Sequence, residues 1–306
     1  MMKTFYLFFI ALLVPFSLNA QQNSPKPTPA NEFFTTTADG TKLFTKVSGN
    51  GDYCIYVHGG PGMWSRSFED LKGKTLESKL KMVYYDQRGS GRSGAASNGD
   101  YSVAKMVDDI ETIRSKLGAE KVYLMAHSFG GIIAASYAKR YPEHLKGLIL
   151  VNSTLYLNNS VESQVAYANS LTGSKIQIQD GQHMPALGEA MGKLSEKNLL
   201  YKLLTDSEES FAALNKIDAA RPEENGFRNN VWSINEYYGD FTKLTPDIKI
   251  PVLVISGKKD WAVGPEHYKL FKFPIQTVSE IDGGHLIYFE KNDEFRKQVF
   301  KFINSK

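Results

Sequence analysis

Five short apolar runs, at residues 54–57, 82–85, 122–125, 148–151 and 252–255, lack the apolar–polar alternation of a strand with one wet face. Runs of this kind are strands covered on both sides, which is the signature of a parallel sheet. The segments between them carry helical spacing, clearest in the stripe Val103, Met106, Val107, Ile110, Ile113 and Leu117. Ser102 is placed to cap that helix and Gly118 to stop it. Strands alternating with helices predict a doubly wound α/β domain, whose ligands bind beyond the carboxyl ends of the strands. Ahead of this pattern, residues 32–37 and 41–48 are β-rich and separated by Ala38-Asp39-Gly40, so an N-terminal antiparallel hairpin is expected to join the mostly parallel sheet.

From residue 153 to about 245 the alternation stops, and stretches such as 189–204 and 208–217 read as helices rich in polar residues. An inserted helical cap at 153–245 therefore divides the α/β core into 31–152 and 246–306. The first twenty residues follow a different logic. Lys3 precedes an uncharged apolar stretch at 5–16, and Ser17-Leu18-Asn19-Ala20 follows, the layout of a secretory signal peptide cut after Ala20. Twelve apolar residues fall short of the roughly 20 that span a bilayer, so no membrane span is expected once the leader is removed. Residues 21–30, with Pro25, Pro27 and Pro29 among polar neighbours, have linker composition. The expected location is outside the cytoplasm, periplasmic or secreted.

The formal net charge of +3 comes without any dense basic run, which argues against a nucleic-acid partner. Cys54 is the only cysteine, so no intrachain disulfide and no cysteine metal site can form. Its place in an apolar strand predicts a buried, inert thiol.

Strand 121–125 runs into Ala126-His127-Ser128-Phe129-Gly130-Gly131, and residues 132–140 read as a helix. This strand, sharp turn and helix is the context of a nucleophile elbow, where only small residues fit two places either side of the serine. The bland alternative is a serine that merely caps the helix. A serine hydroxyl needs a base to attack a carbonyl, and the base needs an orienting carboxylate. Asp260 follows the apolar strand 251–257, and His285 follows strand 275–279 within Ile281-Asp282-Gly283-Gly284-His285. Ser128, Asp260 and His285 thus emerge at three strand ends in the order Ser, Asp, His, and are the expected nucleophile, acid and base. Asp282 is the rival acid. Of the other histidines, His127 should point away from the nucleophile, His58 should brace its loop, His144 and His267 read as helix-surface residues, and His183 falls in the cap.

An oxyanion formed by that attack needs backbone donors worth roughly 3 kcal/mol each. His58-Gly59-Gly60-Pro61-Gly62 follows strand 54–57, and the N–H groups of Gly60 and Phe129 are the expected pair. Trp64, just beyond that loop, is an expected substrate contact. Asp86-Gln87-Arg88-Gly89-Ser90-Gly91-Arg92-Ser93 lacks both the ending of a P-loop and the glycine spacing of a dinucleotide fingerprint. It reads as a structural loop tied by Asp86 and Arg88, and no cofactor is expected.

These two loops together resemble the proline iminopeptidase group of α/β-hydrolases. The resemblance runs from about residue 31 to the C-terminus, strongest up to 151 and around Asp260 and His285. It implies an α/β-hydrolase fold and a cap that closes over the site and binds a free peptide N-terminus with carboxylates. Glu236, in Ile234-Asn235-Glu236-Tyr237-Tyr238, resembles the cap segment that supplies such a carboxylate, with Glu208 and Glu209 as alternatives. Members of the group carry Gly-Gly-Ser-Trp-Gly at the elbow, whereas Ala126-His127-Ser128-Phe129-Gly130 is closer to general esterases. Three readings follow: an exported aminopeptidase acting on short peptides through an acyl-enzyme, a carboxylesterase or lipase-like or carbon–carbon bond hydrolase, and a non-catalytic small-molecule binding protein on a hydrolase shell.

Overall fold

The computed structural model describes residues 31–222 and 226–305. The leader and linker expected at 1–30 lie outside the described residues. Eight strands form one sheet: β1 (Asn31–Thr36), β2 (Lys42–Gly49), β3 (Asp52–Val57), β4 (Leu80–Tyr85), β5 (Val122–His127), β6 (Leu145–Val151), β7 (Val252–Gly257) and β8 (Gln276–Ile281). Their order is β1-β2-β4-β3-β5-β6-β7-β8. The β1–β2 hairpin and the β2–β4 pair are antiparallel, and every other pairing is parallel.

Because successive strand residues point to opposite faces, each unalternating apolar run feeds two cores at once. Ile55, Val57, Leu124 and Ala126 enter one core with helices α2 (Val103–Lys116) and α3 (Gly130–Arg140). Cys54, Tyr56, Tyr123 and Met125 enter the other, against α9 (Asn292–Asn304) and Phe68 of α1 (Arg66–Asp70). β5 and β7 bury all six of their residues. The predicted α2 stripe is the buried face, with Ser102 Oγ accepting from Lys105 N–H at its start. Truncating the fully buried Ile110 of that stripe to Ala would cost about 2–5 kcal/mol.

The strand order reverses between β3 and β5. The crevice at their carboxyl ends therefore lies between the loop after β3 and the turn after β5, which are the two segments singled out by sequence.

Between β6 and β7 the chain is helical, with α4 (Leu157–Thr172), α5 (His183–Glu196), α6 (Glu208–Asp218) and α7 (Gly226–Asn230). This insertion has two halves. α4 and α5 enclose a small core of their own around Val161, Val165, Ala190 and Leu194, whereas Phe227, Val231 and Tyr237 belong to the main core. The single helix expected over 189–204 is broken. α5 ends at Glu196, Asn198 takes φ +57°, and a separate 3-10 turn covers Leu200–Leu203. α4 escaped the sequence reading because Asn158, Asn159, Ser160 and Ser163 dilute its apolar period. Two C-terminal helices complete the fold, the short α8 (Ile287–Glu290) leading into the 13-residue α9. Among the described residues, no helix is long and apolar enough to cross a membrane.

Candidate active site

Ser128 sits between β5 and α3 with φ +54°, a left-handed conformation that a non-glycine residue adopts only where its surroundings over-determine it. They do so here. Ser128 N–H donates to the carbonyls of Val151 and Asn152, and its own carbonyl accepts from Gly131 and Thr154. A Cβ on Gly130 would lie 2.5 Å from the Val57 carbonyl oxygen, and one on Gly131 would lie 2.6 Å from Ser153 Cβ. Strand and helix touch, which is why glycines follow the serine. The N-cap position of α3 is held by Phe129, not Ser128, and no side-chain capping bond is made there, so among the described residues the helix-cap alternative is not what the structure shows.

His285 Nδ1 lies 3.0 Å from both oxygens of Asp260. A carboxylate only accepts, so Nδ1 carries a proton, and in the neutral imidazole the lone pair is then on Nε2. Asp260 is buried, and its Oδ1 also accepts from the N–H groups of Ala262 and Val263. The peptide of His285 is held on both sides. Its N–H donates to the Leu204 carbonyl at 2.7 Å, and its carbonyl accepts from His127 Nε2 and Asn152 Nδ2. Asn152 Oδ1 accepts from Gly257 N–H, so this one side chain links the ends of β7 and the His285 loop. Asp282 is exposed and paired with Lys259 at 3.2 Å, away from the imidazole.

Burial, reinforced by neighbouring His285, pushes the His127 pKa well below its ordinary value, so His127 is a neutral donor to the His285 backbone. His267 is not on a surface as expected. It is buried, accepts from Leu155 N–H and contacts Asn159 Oδ1, tying the start of the insertion to the segment before β8. Burial brings its pKa down to about 4. His144 is partly exposed against Glu111, and His183 pairs with Glu162.

Gly60 takes φ +58° in the loop after β3, and Phe129 opens α3. Among the described residues, neither N–H donates to a protein acceptor. The loop at 86–93 is structural, as read from sequence. Asp86 accepts from Ser65 N–H and Oγ and from Arg92, while the fully buried Arg88 makes a two-point contact with Asp109 and a third bond to Asp39.

Ser128, His285, Gly60, Phe129 and Trp64 line one cavity of about 360 Å³, with Asp260 behind the imidazole. Leu157, Val161, Met184, Leu187 and Trp232 give it a largely apolar wall. Among the described residues its only carboxylate is Asp218, at the end of α6. Asp218 Oδ1 accepts from Trp64 Nε1 and Ser67 Oγ, and burial raises its pKa against the opposing pull of those bonds and of Arg221 and Arg228. Glu236 is corrected by the structure. It is exposed, and its Oε2 accepts from Val103 N–H, so it satisfies the first turn of α2 instead of reaching the cavity. Glu208 and Glu209 are exposed in the first turn of α6, where carboxylates favour the helix dipole. Nothing in the local sequence marks Asp218 or Asn152. Each acquires its place from a residue far along the chain.

A family model described as the alpha/beta hydrolase fold matches residues 55–292. The chain belongs to the alpha/beta hydrolase fold family. It is an enzyme of that type, a hydrolase. The hydrolase is 26% identical over 275 residues to the proline iminopeptidase PfmaB of Pestalotiopsis fici, covering 85% of this chain and 95% of that one. It is 27% identical over 298 residues to a proline iminopeptidase of Clostridium botulinum, covering 86% and 93%. Its fold matches the crystal structure of a proline iminopeptidase-related protein from Thermus thermophilus with a TM-score of 0.73 at 20% identity, over 90% of this chain and 98% of that one.

Proposed function

We propose that the hydrolase is a serine enzyme that cleaves amide or ester bonds through an acyl-enzyme. The observation that carries this reading is the Asp260–His285 pair, which leaves the Nε2 lone pair of His285 in the same cavity as the strained Ser128. Ser128 Oγ attacks the carbonyl carbon while His285 Nε2 takes its proton, and Asp260 stabilises the imidazolium without being protonated. The N–H groups of Gly60 and Phe129 receive the oxyanion, each worth about 3 kcal/mol. His285 then protonates the leaving group, and water, activated by the same imidazole, releases the acyl group from Ser128. No step calls for a cofactor.

Its substrates, on this reading, are short peptides cleaved at the N-terminal residue, as the names of its relatives suggest. Asp218 then replaces Glu236 as the carboxylate facing the ammonium group, with Trp64 beside it. A second reading, an esterase for apolar acyl groups, is favoured by the apolar wall of the cavity and by the two donors already on Asp218. The leader-like residues 1–20 make export part of the proposal, testable by the N-terminal mass of the protein recovered outside the cytoplasm.

Ser128→Ala should abolish turnover and labelling by a fluorophosphonate. Free aminoacyl-arylamides, their N-acetylated forms and aryl esters, compared side by side, separate the two substrate classes. If acetylated amides are cleaved as well as free ones and Asp218→Asn changes neither, the aminopeptidase reading falls and the esterase stands.

A further inference from the structure

His58 is buried, and both of its ring nitrogens are engaged. Nε2 lies 3.0 Å from the Gln87 backbone N–H, which can only donate, and Nδ1 lies 3.0 Å from the Gly59 carbonyl, which can only accept. Together these bonds allow one tautomer, with the proton on Nδ1. Gln87 also donates through its side-chain Nε2 to the His58 carbonyl at 2.7 Å, so the ring and its backbone are held by one residue of the loop at 86–93. Asp86, next in the chain, holds Ser65 at the far end of the same segment.

The consequence falls on the peptide between Gly59 and Gly60. This peptide is trans, so its carbonyl and its N–H point in opposite directions. Its two flanking residues are glycines. A Cβ on Gly59 would lie 2.6 Å from Ser128 Cβ, so a side chain there would strike the nucleophile. Glycine is required for that approach, yet glycine on both sides leaves the peptide plane free to flip. An external anchor must choose its orientation, and the His58 Nδ1–H bond to the Gly59 carbonyl is the only one the described residues give that oxygen.

We propose that His58 is the positioning residue of the oxyanion site: its Gln87-imposed tautomer holds the Gly59 carbonyl and thereby aims the Gly60 N–H at the substrate oxygen. The inference rests on the serine-hydrolase reading and gives a task to the loop at 86–93, which sets the tautomer. His58 is not itself a proton acceptor in turnover, because its one lone pair is occupied by Gln87 N–H.

The test pairs two amide substitutions. His58→Asn keeps a donor near the position of Nδ1, whereas His58→Gln places its amide near Nε2 and loses the bond to Gly59. With an aryl ester as substrate, His58→Gln should lose about 10²–10³-fold in kcat, the cost of one oxyanion donor, with KM nearly unchanged. Affinity for a boronic acid that mimics the tetrahedral intermediate should fall by the same factor. His58→Asn should recover most of both. Equal loss in the two variants, or a loss confined to KM, would overturn the proposal. Long-range ¹H–¹⁵N spectra of the unmutated protein read the tautomer directly, independently of how the variants fold. A proton on Nε2 of His58 would also overturn it. If the unmutated protein neither hydrolyses the ester nor takes up fluorophosphonate at Ser128, the serine-hydrolase reading fails and this proposal with it. An active, labelled enzyme indifferent to His58→Gln sinks the proposal alone.

Discussion

If the hydrolase works through Ser128 as proposed, replacing Asp260 by Asn should leave a folded protein that has lost its base. Asp260 Oδ1 accepts from Ala262 and Val263 N–H at 3.1 and 3.2 Å, and both oxygens face His285 Nδ1 at 3.0 Å. An asparagine satisfies the two backbone donors with its carbonyl oxygen, which turns its NH₂ toward Nδ1. Two donors cannot share that contact, so the imidazole moves its proton to Nε2 and has no lone pair left for Ser128. The loss expected for a wrong tautomer is about 10⁴ in kcat, or roughly 5.5 kcal/mol of transition-state stabilisation. Because the substitution is isosteric and the backbone bonds survive, the melting temperature should move by only a few degrees. Ester turnover, fluorophosphonate labelling rate and thermal melting of Asp260→Asn and Asp282→Asn make the comparison. A normal rate in Asp260→Asn, or the large loss in Asp282→Asn, would refute the assignment, since Asp282 is exposed on Lys259.

Arg88→Ala should cost about 3–5 kcal/mol in urea denaturation, because it strands the buried Asp109 carboxylate without its two-point partner. Burial raises the Glu111 pKa, but hydrogen bonds from Arg114, Tyr137 and His144 outweigh it and bring the carboxyl down to about 2. A depressed carboxyl stabilises the fold above its unfolded value and loses that contribution as pH falls toward 2, so the melting-temperature gap between the native chain and Glu111→Gln should narrow on acidification. Gly130→Ala should destabilise by about 1–3 kcal/mol and lower kcat, since its Cβ would meet the Val57 and His58 carbonyl oxygens at 2.5 and 2.7 Å. Gly188→Ala, inside α5 with nothing within 4 Å, should instead raise stability by about 0.5–1 kcal/mol in the same assay.

The residues at strand ends were legible without coordinates because local pattern places them. A short unalternating apolar run bounded by turn residues reads as a covered strand, a parallel sheet brings every such strand to one carboxyl edge, and Ser128 and Asp260 each follow one, whereas His285 follows the largely exposed edge strand β8. The glycines at 59, 130 and 131 were legible for a related reason, since close approach to neighbouring backbone admits no side chain, and Gly60 because the loop takes φ +58° there. Glu236 shows where pattern ends: its neighbours in sequence resemble a binding segment, but the first turn of α2, 133 residues away, takes its carboxylate. His267 reads as a surface residue until Leu155 and Asn159, more than a hundred residues earlier, close over it. Asp218 faces the cavity only because Trp64 and Ser67 meet the end of α6 there. Periodicity and steric rules a few residues long are enough to specify the sheet, the elbow and the strand ends that Ser128, Asp260 and His285 follow. Tertiary structure alone decided which carboxylate lines the cavity, because a polar side chain in an irregular helical insertion takes whichever donor the distant chain presents.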